Sequence, residues 1–456
     1  MAVAVEQAVS EYFPGSALDA GAIQGLNGTF SGINNDEAAD WLMNNRNIIY
    51  LERAGRILVY ENGIYVDGDA LLKKDLYDVF KGCKNASKKA IISMHGVKEI
   101  LGRVKANSVE PATIFTCDPN LVNLDNGVLN LQTLEVVEHS PDYYFLNKLP
   151  VRYDPAGECP NFIEYRNQTL ESKYHPVLEE IIGYILWGDC RAEKAFMLWG
   201  DKRTGKGTMV KILNCLIGQD NCSSVQLQEL ATNRFKIVNL FGKKLNTFGD
   251  LPRTVVMDVG QFKALTGGDL VEGEYKGVQS FTFFNRAKLL YSTNYLPILR
   301  EYDDAYYNRW IILRYNNSFF GKEDASLKDK LTTPEELSGI LNLGLKGLAR
   351  LKVNNWQFST TEDFGKLYLR GSNPVAAFLE DEYQECDGIS YVPKAKLLSD
   401  FSRYARENKL DPISSATMFG KKIKEQSVIP VESGWRGTQG NQVEVWVGLI
   451  KKPKPT

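Results

Sequence analysis

Residues 195–212 read AFMLWGDKRTGKGTMVKI, an apolar run followed by a glycine-rich loop and a second run with apolar residues at helical spacing. The loop fits the pattern G-x-x-x-x-G-K of phosphate-binding loops, which lie between a strand and a helix. A Ser or Thr normally follows the lysine directly and helps to hold Mg²⁺. Here Gly207 occupies that position, and the hydroxyl of Thr208 comes one residue later. The stretch therefore predicts a nucleotide phosphate site in a strand–loop–helix unit.

Composition limits the classes of protein that this chain can represent. It has 456 residues, of which 43% are apolar and 24% charged, values typical of a soluble globular protein; at this length we expect roughly three domains. The formal net charge of −2 gives no overall basic signal for nucleic acid, so such binding would have to come from local patches. Seven dispersed cysteines without a C-x-x-C pair, and only three histidines, argue against a structural zinc site and for a reducing compartment.

Two stretches bear on the location of the protein. The first residues carry Glu6 and no basic region, so they do not resemble a secretory signal. The longest apolar run, IIGYILWG, is far too short to span a membrane. We therefore expect an intracellular, soluble protein.

The amino-terminal third divides into two segments. Residues 1–30 are small and rich in Gly and Ala, which predicts a flexible lead-in. Residues 31–165 combine helical stretches, roughly 72–83 and 96–106, with a hairpin signal at Glu61-Asn62-Gly63 and further strands. This pattern predicts an α+β accessory domain.

The remainder of the chain divides again. Residues 166–355 alternate strands and helices, which predicts a parallel α/β sheet. Residues 373–456 hold three helical stretches, at 375–385, 393–408 and 414–426, followed by two strands around a Gly-rich turn. Three helices and a β-ribbon have the outline of a winged helix, here with a basic tail.

The glycine loop supplies the predicted nucleotide contacts. Backbone N–H groups at the start of a helix hold phosphate oxygens, and the helix dipole adds to the attraction. Lys206 is expected to bridge the β and γ phosphates as a mobile charge. The residues assigned to nucleotide binding are Gly200, Asp201, Lys202, Arg203, Thr204, Gly205, Lys206, Gly207 and Thr208.

Three further side chains are candidates for the chemistry of hydrolysis. Asp250 follows the run KKLNTFG and is expected to hold Mg²⁺ and orient the attacking water. Asn294 ends the run AKLLYST and fits the role of positioning that water beside the γ-phosphate. Arg309 precedes the run WIILRY and fits an arginine finger that acts on a neighbouring subunit. Each has a plainer alternative: a turn aspartate, a turn asparagine and an arginine in a structural ion pair.

These stretches, in this order, resemble superfamily III helicases, and among them the poxvirus and phage or plasmid primase-helicases. The resemblance covers about residues 31–450. It is carried by NLDNGVLNLQTLEVVEHSPDYYFLNKLPVRYDP, IIGYILWGDCRAEKAFMLWGDKRTGKGT, FKALTGGDLVEGEYKGVQSFTF and AKLLYSTNYLPILREYDDAYYNRWIIL. The TGGD run and the STN-x-x-P and DDA-x-x-x-R spacings are its most specific features.

The resemblance implies roles for four residues and an assembly. Lys206 would be the phosphate-loop lysine and Asp250 the acid of the Mg²⁺ site. Asn294 would take the sensor role and Arg309 that of the arginine finger. Members of the family form a hexameric ring around single-stranded DNA, bind ATP between subunits and are expected to move 3′ to 5′.

A polar stretch, 269–288, predicts a hairpin with Tyr275, Lys276 and Gly277 in its turn. In a ring, one such hairpin per subunit would enter the channel, where its lysine would neutralise backbone phosphates. Lys276 is the leading candidate for DNA contact, Tyr275 a candidate stacking partner and Lys263 a weaker phosphate contact. The plainer alternative is a solvated turn lysine.

The carboxy-terminal region has a local basic bias. Residues 390–456 contain twelve Lys and Arg and six Asp and Glu, a surplus of six basic residues. Lys421 and Lys422 on the third predicted helix, and Arg436 in the wing, are the candidates for DNA contact. Such modules also serve protein contacts, and that alternative stays open.

Together these observations predict an α/β protein with a P-loop AAA+-like helicase core, an N-terminal α+β accessory domain and a C-terminal winged-helix domain. The predicted function is an ATP-dependent replicative DNA helicase of a virus, plasmid or other mobile element. ATP and Mg²⁺ are the expected cofactors, with Thr208 and Asp250 as metal ligands. The expected partners are single-stranded and forked DNA, further copies in a homo-hexamer, and a primase domain or partner, with no membrane.

The expected location is the cytoplasm of a prokaryotic host cell or a viral replication site. Two alternatives to the helicase remain. One is an origin-binding initiator that uses ATP as a switch without processive unwinding, and the other, weaker one is a nucleotide kinase.

Overall fold

The computed structural model describes most of the chain. The described residues are 34–80, 92–115, 118–251, 255–256, 259–299, 303–322, 324–360, 363–386, 390–408, 413, 415–426, 429–438 and 441–453. The lead-in predicted over residues 1–30 lies outside these ranges. Within them, no helix combines the length and the apolar character needed to cross a membrane.

The described residues form sixteen α-helices and twenty strands. The helices are α1 (Asn35–Asn45), α2 (Asp69–Val79), α3 (Met94–Asn107), α4 (Pro160–Thr169), α5 (His175–Leu186), α6 (Lys206–Ile217), α7 (Leu227–Thr232), α8 (Arg234–Ile237), α9 (Gly260–Gly267), α10 (Asp304–Tyr307), α11 (Leu327–Lys330), α12 (Pro334–Val353), α13 (Phe364–Ser372), α14 (Pro374–Glu382), α15 (Lys394–Glu407) and α16 (Ala416–Gln426). The strands are β1 (Ile48–Leu51), β2 (Arg56–Glu61), β3 (Ile64–Asp67), β4 (Leu121–Leu124), β5 (Gly127–Asn130), β6 (Val136–Val137), β7 (Ala195–Gly200), β8 (Cys222–Ser223), β9 (Leu245–Phe248), β10 (Val255–Val256), β11 (Leu270–Gly273), β12 (Phe281–Phe284), β13 (Lys288–Thr293), β14 (Ile298–Leu299), β15 (Trp310–Tyr315), β16 (Tyr383–Glu385), β17 (Tyr391–Pro393), β18 (Glu432–Arg436), β19 (Val443–Val447) and β20 (Leu449–Lys451).

A five-stranded parallel sheet forms the centre of the molecule. Its strands lie in the order β15-β7-β13-β9-β8, and every neighbouring pair is parallel. This confirms the parallel α/β sheet predicted from the alternation of strands and helices. The strand that carries the glycine loop, β7, lies between β13 and β15. Trp199 is level with Thr293 on one side, and Gly200 with Tyr315 on the other.

The strands of this sheet are apolar along most of their length because helices cover the sheet. All six residues of β13 are buried. Helix α6 packs on β7, β9 and β13, and the longest helix, α12, packs along α5. At that crossing a Cβ atom on Gly183 would lie 2.3 Å from the carbonyl oxygen of Gly344, and one on Gly347 would lie 2.1 Å from that of Glu179. The two helices therefore meet backbone to backbone.

The amino-terminal unit consists of α1–α3 and the antiparallel sheet β1-β2-β3. The hairpin predicted at residues 61–63 is present, and Asn62 and Gly63 adopt the positive φ values, 49° and 95°, that two-residue hairpin turns favour. The two helices expected near 72–83 and 96–106 are α2 and α3. Buried residues of the three helices pack against Ile57 and Val59 in an apolar cluster of their own.

A second antiparallel sheet, β4-β5-β6, lies between this unit and the central sheet along the chain. Its buried residues Val122, Leu124 and Leu129 belong to the same apolar cluster as the parallel sheet, and that cluster runs from Ile49 to Ala377. Helix α4 spans the boundary predicted between residues 165 and 166. The two regions therefore share one core, and the domain limits drawn from the sequence stay predictions.

The carboxy-terminal region has a separate apolar cluster, formed by residues from Val375 to Leu449. Its three expected helices are α14, α15 and α16, and its two expected strands are β18 and β19. The structure adds a third strand, β17, which pairs with β19, and an antiparallel pair of β16 and β20. The sequence patterns did not indicate these short strands, each of three residues.

Candidate functional site

The glycine loop connects the carboxyl end of β7 to the first turn of α6. Arg203 and Gly205 adopt positive φ values of 60° and 100°, and these reverse the chain direction before the helix starts at Lys206. The carbonyl of Gly205 accepts hydrogen bonds from the N–H groups of Thr208 and Met209, at 2.8 and 3.1 Å. The first turn of α6 therefore begins directly at the loop, which is where the sequence predicts an anion site at a helix N-terminus.

Lys206 is folded back onto this loop. The side chain is only 7% exposed, and its Nζ donates to the carbonyl oxygens of Gly200 and Asp201 at 2.7 and 2.6 Å. Burial lowers the pKa of the Lys206 ammonium, whereas the negative charges of Asp201 and Asp250 act in the opposite direction. Backbone oxygens thus hold the ammonium at the loop. A bound phosphate group can replace them as its hydrogen-bond acceptor.

Helix α4 supports the loop from behind. The Tyr165 hydroxyl donates to the carbonyl of Gly205 at 2.9 Å, and a Cβ atom at Gly205 would lie 2.9 Å from Cγ2 of Thr169. At the other end of the loop, a Cβ atom on Gly200 would lie 2.1 Å from the carbonyl oxygen of Tyr315. Both glycines are therefore required by close packing. Sequence reasoning missed Tyr165 and Thr169, because nothing in the spacing of α4 indicates contact with the loop.

The unusual Gly207 faces open space. A Cβ atom at this position would have no neighbouring atom within 4 Å, and the residue is exposed in the first turn of α6. The next residue, Thr208, is half-buried. Packing therefore does not explain the absence of a hydroxyl after Lys206.

Asp250 and Asn294 follow the two strands next to β7 on one side. The chain leaving β9 is tied to the end of β13, since Leu251 N–H donates to the carbonyl of Ser292 at 2.8 Å and the Thr293 hydroxyl donates to the carbonyl of Leu251 at 3.1 Å. Asp250 is exposed at this turn with a φ of 65°, and its charge acts on the pKa of Lys206.

Asn294 comes close to the phosphate-loop strand. Its carbonyl oxygen accepts a hydrogen bond from the Trp199 indole N–H at 3.3 Å, and the residue is half-buried. The ends of β7, β13 and β9 are neighbours at the carboxyl edge of a parallel sheet, the edge at which open α/β sheets bind ligands. The structure thus brings the loop, Asp250 and Asn294 to one edge.

Arg309 lies at the opposite edge of the sheet. Its carbonyl accepts a hydrogen bond from Ala195 N–H at 2.8 Å, at the amino end of β7. The guanidinium forms an ion pair with Glu193 at 2.7 Å, and its Nε donates to the Thr266 hydroxyl at 2.9 Å. Gly200 is at the far end of this six-residue strand, a span of about 17 Å. Arg309 therefore does not lie at its own phosphate loop, and Glu193 is a partner that the sequence did not indicate.

The expected hairpin is formed by β11 and β12, which pair in antiparallel register. Lys276 is exposed at its turn, next to Gly277, whose φ is 81°. Tyr275 instead turns back into the molecule. Its ring stacks on Phe281 with centroids 5.8 Å apart, and its hydroxyl accepts a hydrogen bond from Arg56 Nη1 of the amino-terminal unit at 3.1 Å. A role of Tyr275 in stacking on DNA stays a prediction and would require this contact to open.

Lys263 is on α9, away from the hairpin turn. Its Nζ forms an ion pair with Asp303 at 2.8 Å, and this bond contributes to the lowered pKa of the Asp303 carboxyl, against the effect of burial. Asp303 also accepts a hydrogen bond from Tyr306 N–H at the start of α10. The structure thus gives Lys263 a structural partner, and its contact with a DNA phosphate stays a prediction.

The carboxy-terminal candidates all lie at the surface. Lys421 is exposed and Lys422 half-buried on α16, and Arg436 is exposed at the end of β18, with its guanidinium 5.8 Å from the centre of the Tyr391 ring. A groove of about 810 Å³ between α15, α16 and β19 includes Lys421 in its lining. DNA contact by these residues stays a prediction.

Comparisons with known proteins add two partial matches. Residues 34–171 match a family model described as D5 N terminal like, and residues 198–309 match a family of unknown function, DUF5906. The first match covers nearly all of the predicted accessory domain, residues 31–165. The second includes Lys206, Asp250, Asn294 and Arg309.

Solved structures were also compared. Two apo structures of the NrS-1 C-terminal region share 12% sequence identity with this chain, cover 90% of it and are themselves covered to 98%, with TM-scores of 0.48 and 0.47. A search of curated proteins found no match. Each of the two family matches covers less than a third of the chain.

Proposed function

We propose that this chain is an ATP-dependent replicative DNA helicase of a virus, plasmid or other mobile element, acting as a hexameric ring on single-stranded DNA. One observation carries the proposal. The phosphate loop and Asp250 lie at one edge of the sheet, whereas Arg309 lies at the other, about 17 Å away. Each chain thus offers one half of an ATP site at each edge, and a ring joins the halves of neighbouring subunits.

Charge balance during hydrolysis explains why both halves are needed. As water attacks the γ-phosphate, negative charge spreads over its oxygens, and a positively charged loop lysine stabilises it from one side. An arginine from a neighbouring subunit stabilises it from the other side and can contribute several orders of magnitude in rate. In this proposal Lys206 supplies the first charge, Arg309 of the next subunit the second, and Asn294 positions the water.

In this proposal a bound Mg²⁺ would supply positive charge that offsets the charge of the phosphate groups. Thr208 and Asp250 are the residues that would hold it. The fit rests on Asp250, an exposed carboxylate at the carboxyl edge whose charge acts on Lys206. One carboxylate with one hydroxyl suits Mg²⁺, which usually keeps several waters and takes one or two protein carboxylates.

The hairpin gives the motor its contact with DNA in this proposal. Lys276 is exposed at the turn of β11 and β12, and a ring of such lysines would track the phosphates of one strand. We interpret the central sheet as an AAA+-like core and α14–α16 with β17–β19 as a winged helix. The proposed 3′-to-5′ direction rests on the family resemblance alone.

Subunit mixing tests the shared ATP site. The variants Lys206→Ala and Arg309→Ala are each expected to lose ATPase activity, because every interface lacks one half of the site. In a one-to-one mixture, about one quarter of the interfaces pair an intact loop with an intact arginine, so activity should return to about that fraction. Arg103→Ala is the matched control, since Arg103 pairs with Asp36 in the amino-terminal unit. Mixed rings that assemble but stay inactive would contradict a shared site.

Fork unwinding separates the helicase from its alternatives. Lys276→Ala is expected to keep DNA-independent ATPase activity and to lose both stimulation by single-stranded DNA and strand separation, whereas Lys276→Arg should retain both. ATP-dependent assembly on DNA without strand separation by the wild type would favour an initiator. Transfer of phosphate to a nucleoside monophosphate would favour a kinase.

A further inference from the structure

The segment that follows β15 is fixed beside the phosphate loop. The Asn316 side-chain amide donates to the Glu171 carboxylate at 3.1 Å, and that of Asn317 donates to the carbonyl of Gln168 at 2.7 Å. Two residues later, Phe319 N–H donates to the carbonyl of Arg203 in the loop itself, at 2.9 Å. Three hydrogen bonds therefore anchor residues 316–319 between the end of α4 and the loop.

The next residue, Phe320, is 74% exposed despite this anchoring. The Arg203 guanidinium carbon lies 4.6 Å from the centre of its ring, within the range of a cation–π contact. The turn is closed by Lys322 N–H, which donates to the carbonyl of Phe319 at 2.9 Å. A single exposed aromatic side chain is common on protein surfaces. This one differs because its backbone is held against the residues that would bind phosphate.

The position of Phe320 in the sheet adds a second argument. Strand β15 is parallel to β7, and Tyr315 is level with Gly200. The chain therefore leaves β15 at the same edge at which the phosphate loop leaves β7. A nucleotide that binds the loop through its phosphates extends its base away from the loop, and an exposed ring beside the loop offers the base an apolar face.

We propose that Phe320 is the stacking platform for the base of the nucleotide whose phosphates bind at Lys206, a proposal that rests on the proposed ATP site. Base–aromatic stacking tolerates different bases, because every base has a π-face, and its strength follows the area of the rings in contact. The substrate class is therefore the nucleoside triphosphates, with purines bound more tightly than pyrimidines. Arg203 sets the orientation of the ring from its other side.

Binding measurements with ATP and with inorganic triphosphate test this proposal, because the two share phosphates and differ in the base. Phe320→Ala is expected to weaken ATP binding by about fivefold to 150-fold, with triphosphate binding unchanged. Phe320→Trp should retain ATP affinity. The matched control is Phe235→Ala, because Phe235 is also exposed, at 44%, and its ring lies 5.4 Å from the guanidinium of Arg234, at the hairpin rather than at the loop. That variant should bind both compounds as the wild type does.

Two outcomes would overturn the role of Phe320 and leave the proposed ATP site intact. One is unchanged ATP binding by Phe320→Ala. The other is an equal loss of affinity for ATP and for triphosphate, which would indicate a disturbed loop. If wild-type protein binds neither compound in the presence of Mg²⁺, the proposed ATP site fails together with the platform. Lys206→Ala provides the contrast, since this variant should lose binding of both ATP and triphosphate.

Discussion

The hydroxyl of Tyr165 donates a hydrogen bond to the carbonyl of Gly205 at 2.9 Å, so the helix before the central sheet holds the loop that would bind phosphate. Removing this hydroxyl leaves the ring and its packing in place and takes one of three hydrogen bonds from the Gly205 carbonyl, which also accepts from the N–H groups of Thr208 and Met209. Tyr165→Phe is therefore expected to lower the free energy of unfolding by about 1 kcal/mol and to weaken ATP binding several-fold.

Tyr383→Phe is the matched control for this variant, because the buried hydroxyl of Tyr383 donates to Asp400 in the carboxy-terminal region. Tyr383→Phe should lower the free energy of unfolding by about as much as Tyr165→Phe does and leave ATP binding unchanged. Calorimetric titration and denaturant unfolding measure the two quantities. Equal ATP affinities for both variants would show that Tyr165 acts only on stability.

The ion pair of Glu193 with Arg309 holds the proposed arginine finger within its own chain. An interaction with a neighbour's phosphate would have to replace this pair, whose glutamate side chain is 54% exposed. Exposed pairs contribute at most about 1 kcal/mol, so Glu193→Gln should change stability little and raise the ATPase turnover by no more than about fivefold. Glu229→Gln, which affects the exposed pair with Lys236, should leave turnover unchanged. A fall in turnover for Glu193→Gln would indicate that the glutamate positions the arginine instead.

The open space around Gly207 allows the usual hydroxyl to be restored. Gly207→Ser should fold as the wild type does, because its Cβ atom meets no neighbour within 4 Å and serine is better tolerated than glycine in a helix. If a hydroxyl at this position binds Mg²⁺, the Mg²⁺ concentration for half-maximal ATPase activity should fall. Thr208→Ala should raise that concentration. An unchanged value in Thr208→Ala would remove Thr208 as a metal ligand.

The hydrogen bond from Arg56 to Tyr275 connects the amino-terminal unit to the hairpin. Arg56→Ala removes this connection and should leave ATPase activity without DNA unchanged. The stimulation of ATPase activity by single-stranded DNA should change several-fold, because Tyr275, the residue next to Lys276, loses its hydrogen bond to Arg56. Arg53→Ala is the control, since Arg53 is exposed in the same turn region of the amino-terminal unit. Identical DNA stimulation in both variants would mean that the hairpin holds its position without Arg56.

The parts of the fold that follow from local patterns were predicted well. The run before Gly200, the loop and the helix after Lys206 are specified by adjacent residues, and the Asn62-Gly63 turn by two residues alone. Parallel pairing then brought Asp250 and Asn294 to the edge of the loop, as expected for residues that end neighbouring strands. The short strands of the carboxy-terminal region were missed because three residues give too little periodicity.

Contacts between distant residues could not be predicted in this way. The hydrogen bond of Tyr165 to the loop spans 40 residues, the pair of Glu193 with Arg309 spans 116, and the contact of Arg56 with Tyr275 spans 219. No local spacing encodes such distances along the chain. They arise from how the helices and sheets pack, and for that reason Tyr275 was expected to face DNA whereas the structure turns it inward.

The crossing of α5 and α12 has a mechanical consequence. Gly183, Gly344 and Gly347 bring main-chain atoms of the two helices together, so no side chain at that point can change rotamer to let one helix slide along the other. A displacement of α12 must therefore carry α5 with it, and with α5 the chain that leads into β7. In the proposed hexamer, a movement that starts at the ATP site would then be transmitted through this part of the subunit to its neighbours as a rigid-body rotation.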